Sequence, residues 1–355
     1  MELENLKNFD RARETWNKFW RGDLNRPIIH AVVPKKNIEP APKPTRGAAF
    51  YTDHERLADQ VLQWAESFDW LADSVPFYSP NICMGQFSAM LGAKIQTVRE
   101  QWGIDTHPIA FLKNLDPELV NLDRTSQMWE KFIHMLDVFS RKLSGKVVFG
   151  EISLEWNLDF LAGIRGTVQT MTDFYDNPAG VHAVMKRLTE INQEITDELI
   201  ERCDINTWGS ITRHGLYSTS ITGVPQCDFG FNIGTDHFRE FALPYLCREC
   251  NMLDDIEYHL DGPNNIPHLE SICTIDKIKV IQWVPGAGDA KDMDWSNLYK
   301  KINALGRGLM LYCHTDEVMD LWKAYSSSRA KRLMLYVHTD NAGEIQRLMD
   351  SLESL

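Results

Sequence analysis

Three apolar runs in the second half of the chain finish in His-x-Asp: Ile256-Glu257-Tyr258-His259-Leu260-Asp261, Leu309-Met310-Leu311-Tyr312-Cys313-His314-Thr315-Asp316 and Leu333-Met334-Leu335-Tyr336-Val337-His338-Thr339-Asp340. Imidazoles and carboxylates bind divalent cations and pass protons near neutral pH. Delivered at the ends of successive strands, they would build a polar site on an apolar scaffold. The first run is the sharpest. On an extended strand residues two apart face the same side, so His259 and Asp261 can share one metal ion or act as an acid/base pair. The competing reading is a buried histidine hydrogen-bonded to a carboxylate for stability. Gly262-Pro263 then breaks the strand.

The other two ends are more ambiguous. Asp316 and Asp340 stand just before helices, where short polar side chains cap free backbone N–H groups. His314 and His338 are not explained that way. Cys313 is a candidate soft zinc ligand and equally a small buried apolar residue. Further candidates at strand ends are Glu151, Glu155, His214 and Asp228, with Glu151, His214 and Asp228 as proton-transfer groups and Trp283 as a pocket wall. Arg165 can clamp a carboxylate or phosphate of a substrate, or form a salt bridge. Gly286-Ala287-Gly288 can line a pocket or simply make a turn. Cys247-Arg248-Glu249-Cys250 has zinc half-site spacing, but it lies on a predicted helix without a second such pair and reads as core.

These residues need elements to position them. Leu6, Phe9, Trp16, Phe19 and Trp20 predict an amphipathic helix over about 5–20. A strand follows at 28–33, stopped by Pro34. Residues 34–48 hold Pro34, Pro40, Pro42 and Pro44 and read as a loop or a lid over a site. Weak strand 74–78, strand 147–152, helix 178–202, strand 205–211 and helix 236–253 lead into a regular alternation. There, strands at 256–260, 278–283, 309–313 and 333–337 each precede a helix. Roughly eight strands alternating with helices predict an α/β fold, a (β/α)8 TIM barrel with an N-terminal helical extension over 1–25, spanning 1–355 as a single domain. The Gly-rich turn of an open doubly wound sheet is missing after the first strand.

The 355 residues are 43% hydrophobic and 25% charged, which is ordinary globular composition. A net charge of −13 argues against nucleic acid or an anionic membrane as partner. Seven scattered cysteines and an acidic N-terminus without a signal pattern point to the reducing cytoplasm.

Several segments, in order, resemble the uroporphyrinogen decarboxylase-like superfamily, which includes zinc-dependent methyltransferases that work with corrinoid proteins and cobalamin-independent methionine synthase. They are Ala12-Arg13-Glu14-Thr15-Trp16 through Arg26-Pro27-Ile28; Leu161-Ala162-Gly163-Ile164-Arg165-Gly166 with Asp173-Phe174-Tyr175-Asp176-Asn177-Pro178; Gln226-Cys227-Asp228-Phe229 with Phe238-Arg239-Glu240-Phe241 and Leu243-Pro244-Tyr245; and Tyr258-His259-Leu260-Asp261-Gly262. The resemblance implies a (β/α)8 barrel. The decarboxylases' Arg-Gln-Ala-Gly-Arg signature is absent, since 34–48 carries only Arg46 and lysines.

The methyltransferases hold zinc with His-x-Cys and a later Cys. His259 matches the histidine, Asp261 replaces the first cysteine, and Val337-His338 stands where the later one would fall. The resemblance thus implies zinc on His259 and Asp261, completed by Cys313 or His338, and a corrinoid carried by a partner protein. A carboxylate-bearing site is harder than a thiolate one and favours activating an oxygen. A zinc-bound thiol would also be deprotonated. Two alternatives stay open: metal-free decarboxylation of a tetrapyrrole or other acid, with Asp261 or Asp228 holding pyrrole N–H groups, and a non-catalytic tetrapyrrole- or partner-binding protein. A small-molecule substrate and a homodimer complete the expectations.

Overall fold

Runs of β-branched and aromatic residues bounded by Gly and Pro set the strands, and helices fill the intervals. The computed structural model of the protein describes every residue except 1, 5, 7, 46, 101–102, 153–154, 287–289, 292, 328–330 and 354–355, with backbone alone for 99, 100 and 103–105. The strands are β1 (Ile28–Pro34), β2 (Phe68–Ala72), β3 (Phe77–Tyr78), β4 (Lys94–Glu100), β5 (Gly103–Ile109), β6 (Val148–Phe149), β7 (Ser210–Ile211), β8 (Tyr217–Ser218), β9 (Thr222–Gly223), β10 (Asp255–Asp261), β11 (Ile278–Val284), β12 (Gly308–His314) and β13 (Leu333–His338). A central sheet runs in the order β2-β1-β13-β12-β11-β10-β9. All its neighbours are parallel except β2, which lies antiparallel on β1. β3 pairs with β6 in parallel, and Gly150 bridges to Ile211 in parallel. The chain is therefore mixed α/β with a central parallel sheet and many helices.

The predicted helix 178–202 is present as Pro178–Arg202, with Pro178 in its first turn and Asn177 accepting the Gly180 N–H. Elsewhere the pattern misled. Residues 205–211 read as strand, yet Ile205–Trp208 form a helical turn and only Ser210–Ile211 extend. Gly209 explains the break: its φ is 77°, and an added Cβ would lie 2.2 Å from the Ser218 carbonyl oxygen. Residues 94–109, illegible in sequence, form the β4–β5 hairpin. Ala287 and Gly288 of the glycine turn lie outside the described residues. Among the described residues no helix is long and apolar enough to cross a membrane.

The N-terminal helix Phe9–Arg21 buries Trp16, Phe19 and Trp20. Trp16 Nε1 donates to the Asp73 carbonyl and Trp20 Nε1 to the Tyr217 carbonyl, which fasten this helix to the sheet region. Under the site, helix Leu243–Asn251 presents the buried Glu249 to the backbone N–H of Asn157 at 2.8 Å and its Nδ2 at 3.1 Å. This helix also carries Cys247 and Cys250, as core and not as a zinc half-site. Burial pushes the Glu249 carboxyl from 4.5 up to about 8. Between these values the folded chain keeps a proton that the unfolded chain has lost. The stability that proton provides is complete below about pH 4.5 and drains away as pH rises to about 8. Glu249→Gln should remove that slope. Wild type is expected to lose on the order of 2 kcal/mol relative to the variant between pH 5.5 and 7.5 in urea denaturation. Parallel profiles would refute it.

Candidate functional site

β10 supplies the site through strand alternation. Ile256, Tyr258 and Leu260 are buried in the apolar core, and Glu257, His259 and Asp261 share the other face. His259 stands opposite Gln282 of β11, and its Nδ1 lies 2.5 Å from Gln282 Oε1. With the amide oxygen as acceptor, Nδ1 carries the proton and Nε2 the lone pair, the usual way a second side chain orients a ligating imidazole. Gly262, at φ 77°, turns the chain away directly after Asp261.

Asp228 arrives from a different element, the 3-10 turn Asp228–Asn232. Its placement is fixed by Asp159, which accepts the backbone N–H groups of Asp228 and Phe229 at 2.9 and 2.7 Å. Gln226 Nε2 donates to Asp228 Oδ2 at 2.7 Å. Arg213 in turn donates to Gln226 Oε1 at 2.6 Å and to Glu151 Oε1 at 3.1 Å. The outcome is that ligand atoms of Asp228, His259 and Asp261 lie within 4.8 Å of one another.

This cluster is electrostatically uncompensated. Burial, then the charges of Asp159 and Asp261, push the Asp228 carboxyl well above the usual range, against the pull of Arg213. Burial also raises Asp261, and it raises Asp159 despite the N–H groups that Asp159 accepts. Among the described residues, Asp228 Oδ1 and Asp261 Oδ1 are buried without a hydrogen-bond partner. Two carboxylates and an imidazole converging in this state form a hard donor set suited to a divalent cation.

One cavity is lined by Asp228 of the cluster, and another by His214, the neighbour of His259. His214 stacks on His259 with ring centroids 6.0 Å apart, and its Nδ1 lies 2.9 Å from Oε1 of the wholly buried Glu257. His214 lines a cavity of about 1030 Å³ walled by Trp70, Phe77, Tyr312 and Tyr336. Asp228 lines a second cavity, of about 480 Å³, together with Asp159 and Glu155. Glu155 Oε2 accepts the Ser88 N–H at 2.8 Å and its hydroxyl at 2.5 Å, and burial pushes the carboxyl up to about 7. A proton can be held or released there near neutrality.

His259 and Asp261 thus come together as the sequence implies. Asp228 joins them as a third ligand-type group, where the sequence suggested proton transfer. Cys313 and His338 do not join. Cys313 faces the apolar side of β12, and burial pushes its thiol up to about 12, a poor setting for a thiolate. His338 lines the larger cavity, stacked on Tyr312 at 5.8 Å. Glu151 is held by Arg213 and by the N–H groups of Arg213 and Val224, so it braces the wall. Trp283 points away from the face that carries Gln282 and packs edge-on against Trp295 at 4.9 Å. Arg165 is spent on Asp173, at 2.7 and 3.0 Å, and on the Leu112 carbonyl. Asp316 and Asp340 line the larger cavity. The last helix is capped by Asn341, which accepts the Gly343 N–H, not by Asp340. Sequence reasoning missed Glu257, although it shares the period-two row of His259 and Asp261. Asp159 left no local signal.

No protein-family model matches the sequence, and the search of curated proteins returns no match. The fold is similar to that of a methyltransferase from Methanosarcina mazei, with a TM-score of 0.58 and 10% identity over 97% of this chain and 98% of that one.

Proposed function

We propose that the chain is a metal-dependent methyltransferase, with zinc held by Asp228, His259 and Asp261 and the methyl group exchanged with a corrinoid on a partner protein. The observation that carries this reading is the pair of buried carboxylate oxygens of Asp228 and Asp261 beside His259 that have no hydrogen-bond partner among the described residues. The similarity to a methyltransferase fold along nearly the whole chain supports it. So do the cavity lined by Asp228 and the one lined by His214, the ring that stacks on His259, because a group transfer needs room for a donor and an acceptor. We read the parallel sheet and its short outlying strand pairs as a (β/α)8 barrel, with the site at the strand C-termini, and place the chain in the cytoplasm.

The metal would lower the pKa of a bound thiol or hydroxyl so that it reacts as its anion. His214, held on Glu257, takes up the acceptor's proton. Gln282 keeps His259 in one tautomer. Arg213 and Gln226 hold Asp228 in place. Porphyrinogen decarboxylation is less well supported: the cations lining the larger cavity among the described residues are Lys43 and Arg213, and Arg213 is engaged by Glu151.

The test uses methylcob(III)alamin and 2-mercaptoethanol with the zinc-loaded chain. The thiolate sulfur forms a bond to the methyl carbon as the cobalt–carbon bond breaks, its electron pair staying on cobalt, so cob(I)alamin and the thioether appear together. Zinc-dependent turnover is expected, reduced more than about 100-fold in His259→Ala, since loss even of a group that orients a ligand typically costs 10–100-fold. Wild type that produces neither product above the enzyme-free rate would overturn the proposal.

A further inference from the structure

Lys43 and Arg213 are the lysine and arginine side chains that line the larger cavity among the described residues, and Asp316, Asp340 and Glu344 line it too. Lys43 belongs to the proline-rich segment 34–48 and reaches inward, its Nζ 4.8 Å from the Trp64 ring centroid and 5.6 Å from that of Phe77. Among the described residues no carboxylate pairs with it. Burial holds its ammonium below the usual lysine range. The residue as a whole remains exposed, and its ammonium rests against the aromatic faces.

A second, independent group points into the same space. His30 of β1 is 1% exposed and lines the cavity, and its Nδ1 has no hydrogen-bond partner among the described residues. Burial, then the nearby Lys43 charge, depress its pKa to about 3, so the ring is neutral at pH 7. The ring lies 6.1 Å from Phe77 and 4.6 Å from Tyr336, measured between centroids. On the other side it meets residue 215, where an added Cβ would come within 3.1 Å of His30 Cε1. Residue 215 follows His214, which stacks on His259. The cavity therefore runs from the Lys43 ammonium, past aromatic walls and an imidazole nitrogen that has no partner among the described residues, to His214, which stacks on His259.

We propose that this cavity binds a small carboxylic acid with a flat, unsaturated body, its carboxylate paired with Lys43 and its ring against the aromatic walls that include Phe77 and Tyr336. The acid's far end then faces His214 and the metal cluster. Residues 34–48 are the segment that brings the cation into the cavity. The role of the acid as the substrate of methyl transfer rests on the function proposed above; the binding site itself does not.

Benzoate and its neutral isostere benzamide are the probes, titrated calorimetrically into the full chain treated with EDTA. Benzoate is expected to bind with a millimolar Kd, and benzamide at least about tenfold more weakly, as befits a charge-assisted hydrogen bond. Lys43→Met keeps the stem against Trp64 and Phe77 and should weaken benzoate at least about tenfold. Lys43→Arg should stay within a few-fold of wild type and shows that the segment still folds. Asp261→Asn should bind benzoate normally, so a failed metal claim leaves this result standing. Equal binding of benzamide, an unaffected Lys43→Met, loss of binding in Asp261→Asn, or no benzoate bound to wild type at about 10 mM would each overturn the assignment.

Discussion

Zinc at about a hundred times its Kd should raise the thermal midpoint of the metal-free chain by about 4 °C. Binding confined to the folded state contributes about 2.7 kcal/mol at that ratio. An unfolding entropy of about 2.1 cal/mol/K per residue over 355 residues converts it to that shift. The more discriminating result concerns the variants. His259→Ala, Asp228→Asn and Asp261→Asn should each abolish the shift. Asp228→Asn and Asp261→Asn should at the same time leave the metal-free chain at least as stable as wild type. Both carboxylates are half-buried, each has one buried oxygen without a hydrogen-bond partner among the described residues, and the charge of Asp261 works against ionisation of Asp228. Removing one charge relieves that repulsion. If the cluster were instead a hydrogen-bonded stabilising group, the same substitutions would lower the midpoint without zinc. Scanning calorimetry with and without the metal separates the two cases, and a wild type that ignores zinc excludes the metal site.

Arg26→Met should be the most damaging change outside the site, at about 3–5 kcal/mol, or about 4–7 °C in a chain of this length. Arg26 and Asp73 form a two-pronged ion pair at 2.6 and 2.8 Å, with side chains only 12% and 5% exposed. Asp73 also accepts the Ile29 N–H at 3.0 Å, and its carbonyl takes Trp16 Nε1. One residue thus fastens the N-terminal helix to β1. Without Arg26 the Asp73 carboxylate stays buried with a single backbone donor, and the penalty is that of an uncompensated charge. Arg26→Met combined with Asp73→Asn should recover part of the loss, because it removes the stranded charge. No recovery in the double variant would assign the damage to packing.

Much of the positioning was legible in the chain itself. The alternation in Glu257-Tyr258-His259-Leu260-Asp261 fixes which residues share a face, because strand geometry is local. The order of strands and helices from 255 onward follows from apolar runs punctuated by Gly and Pro. β11 shows the limit. Ile278-Lys279-Val280-Ile281-Gln282-Trp283 is apolar on both faces, as buried parallel strands are, so the pattern carries a period without a phase. Trp283 was read as a pocket wall, and it is Gln282 that faces the site.

The same ambiguity governs Tyr312-Cys313-His314. Register pairs Cys313 with Val337 and His314 with His338. Packing then turns the thiol into the core and the two histidines toward the cavity. Sequence by itself determined that a histidine and a carboxylate would stand together on β10, since two residues apart on one strand is a distance set by backbone geometry. Only the tertiary structure decided that Asp228 completes the group and that Cys313 does not. Those choices depend on contacts across long stretches of chain, such as Asp159 seizing the N–H groups of residues 228 and 229, whose specificity lies in packing and leaves no periodic trace.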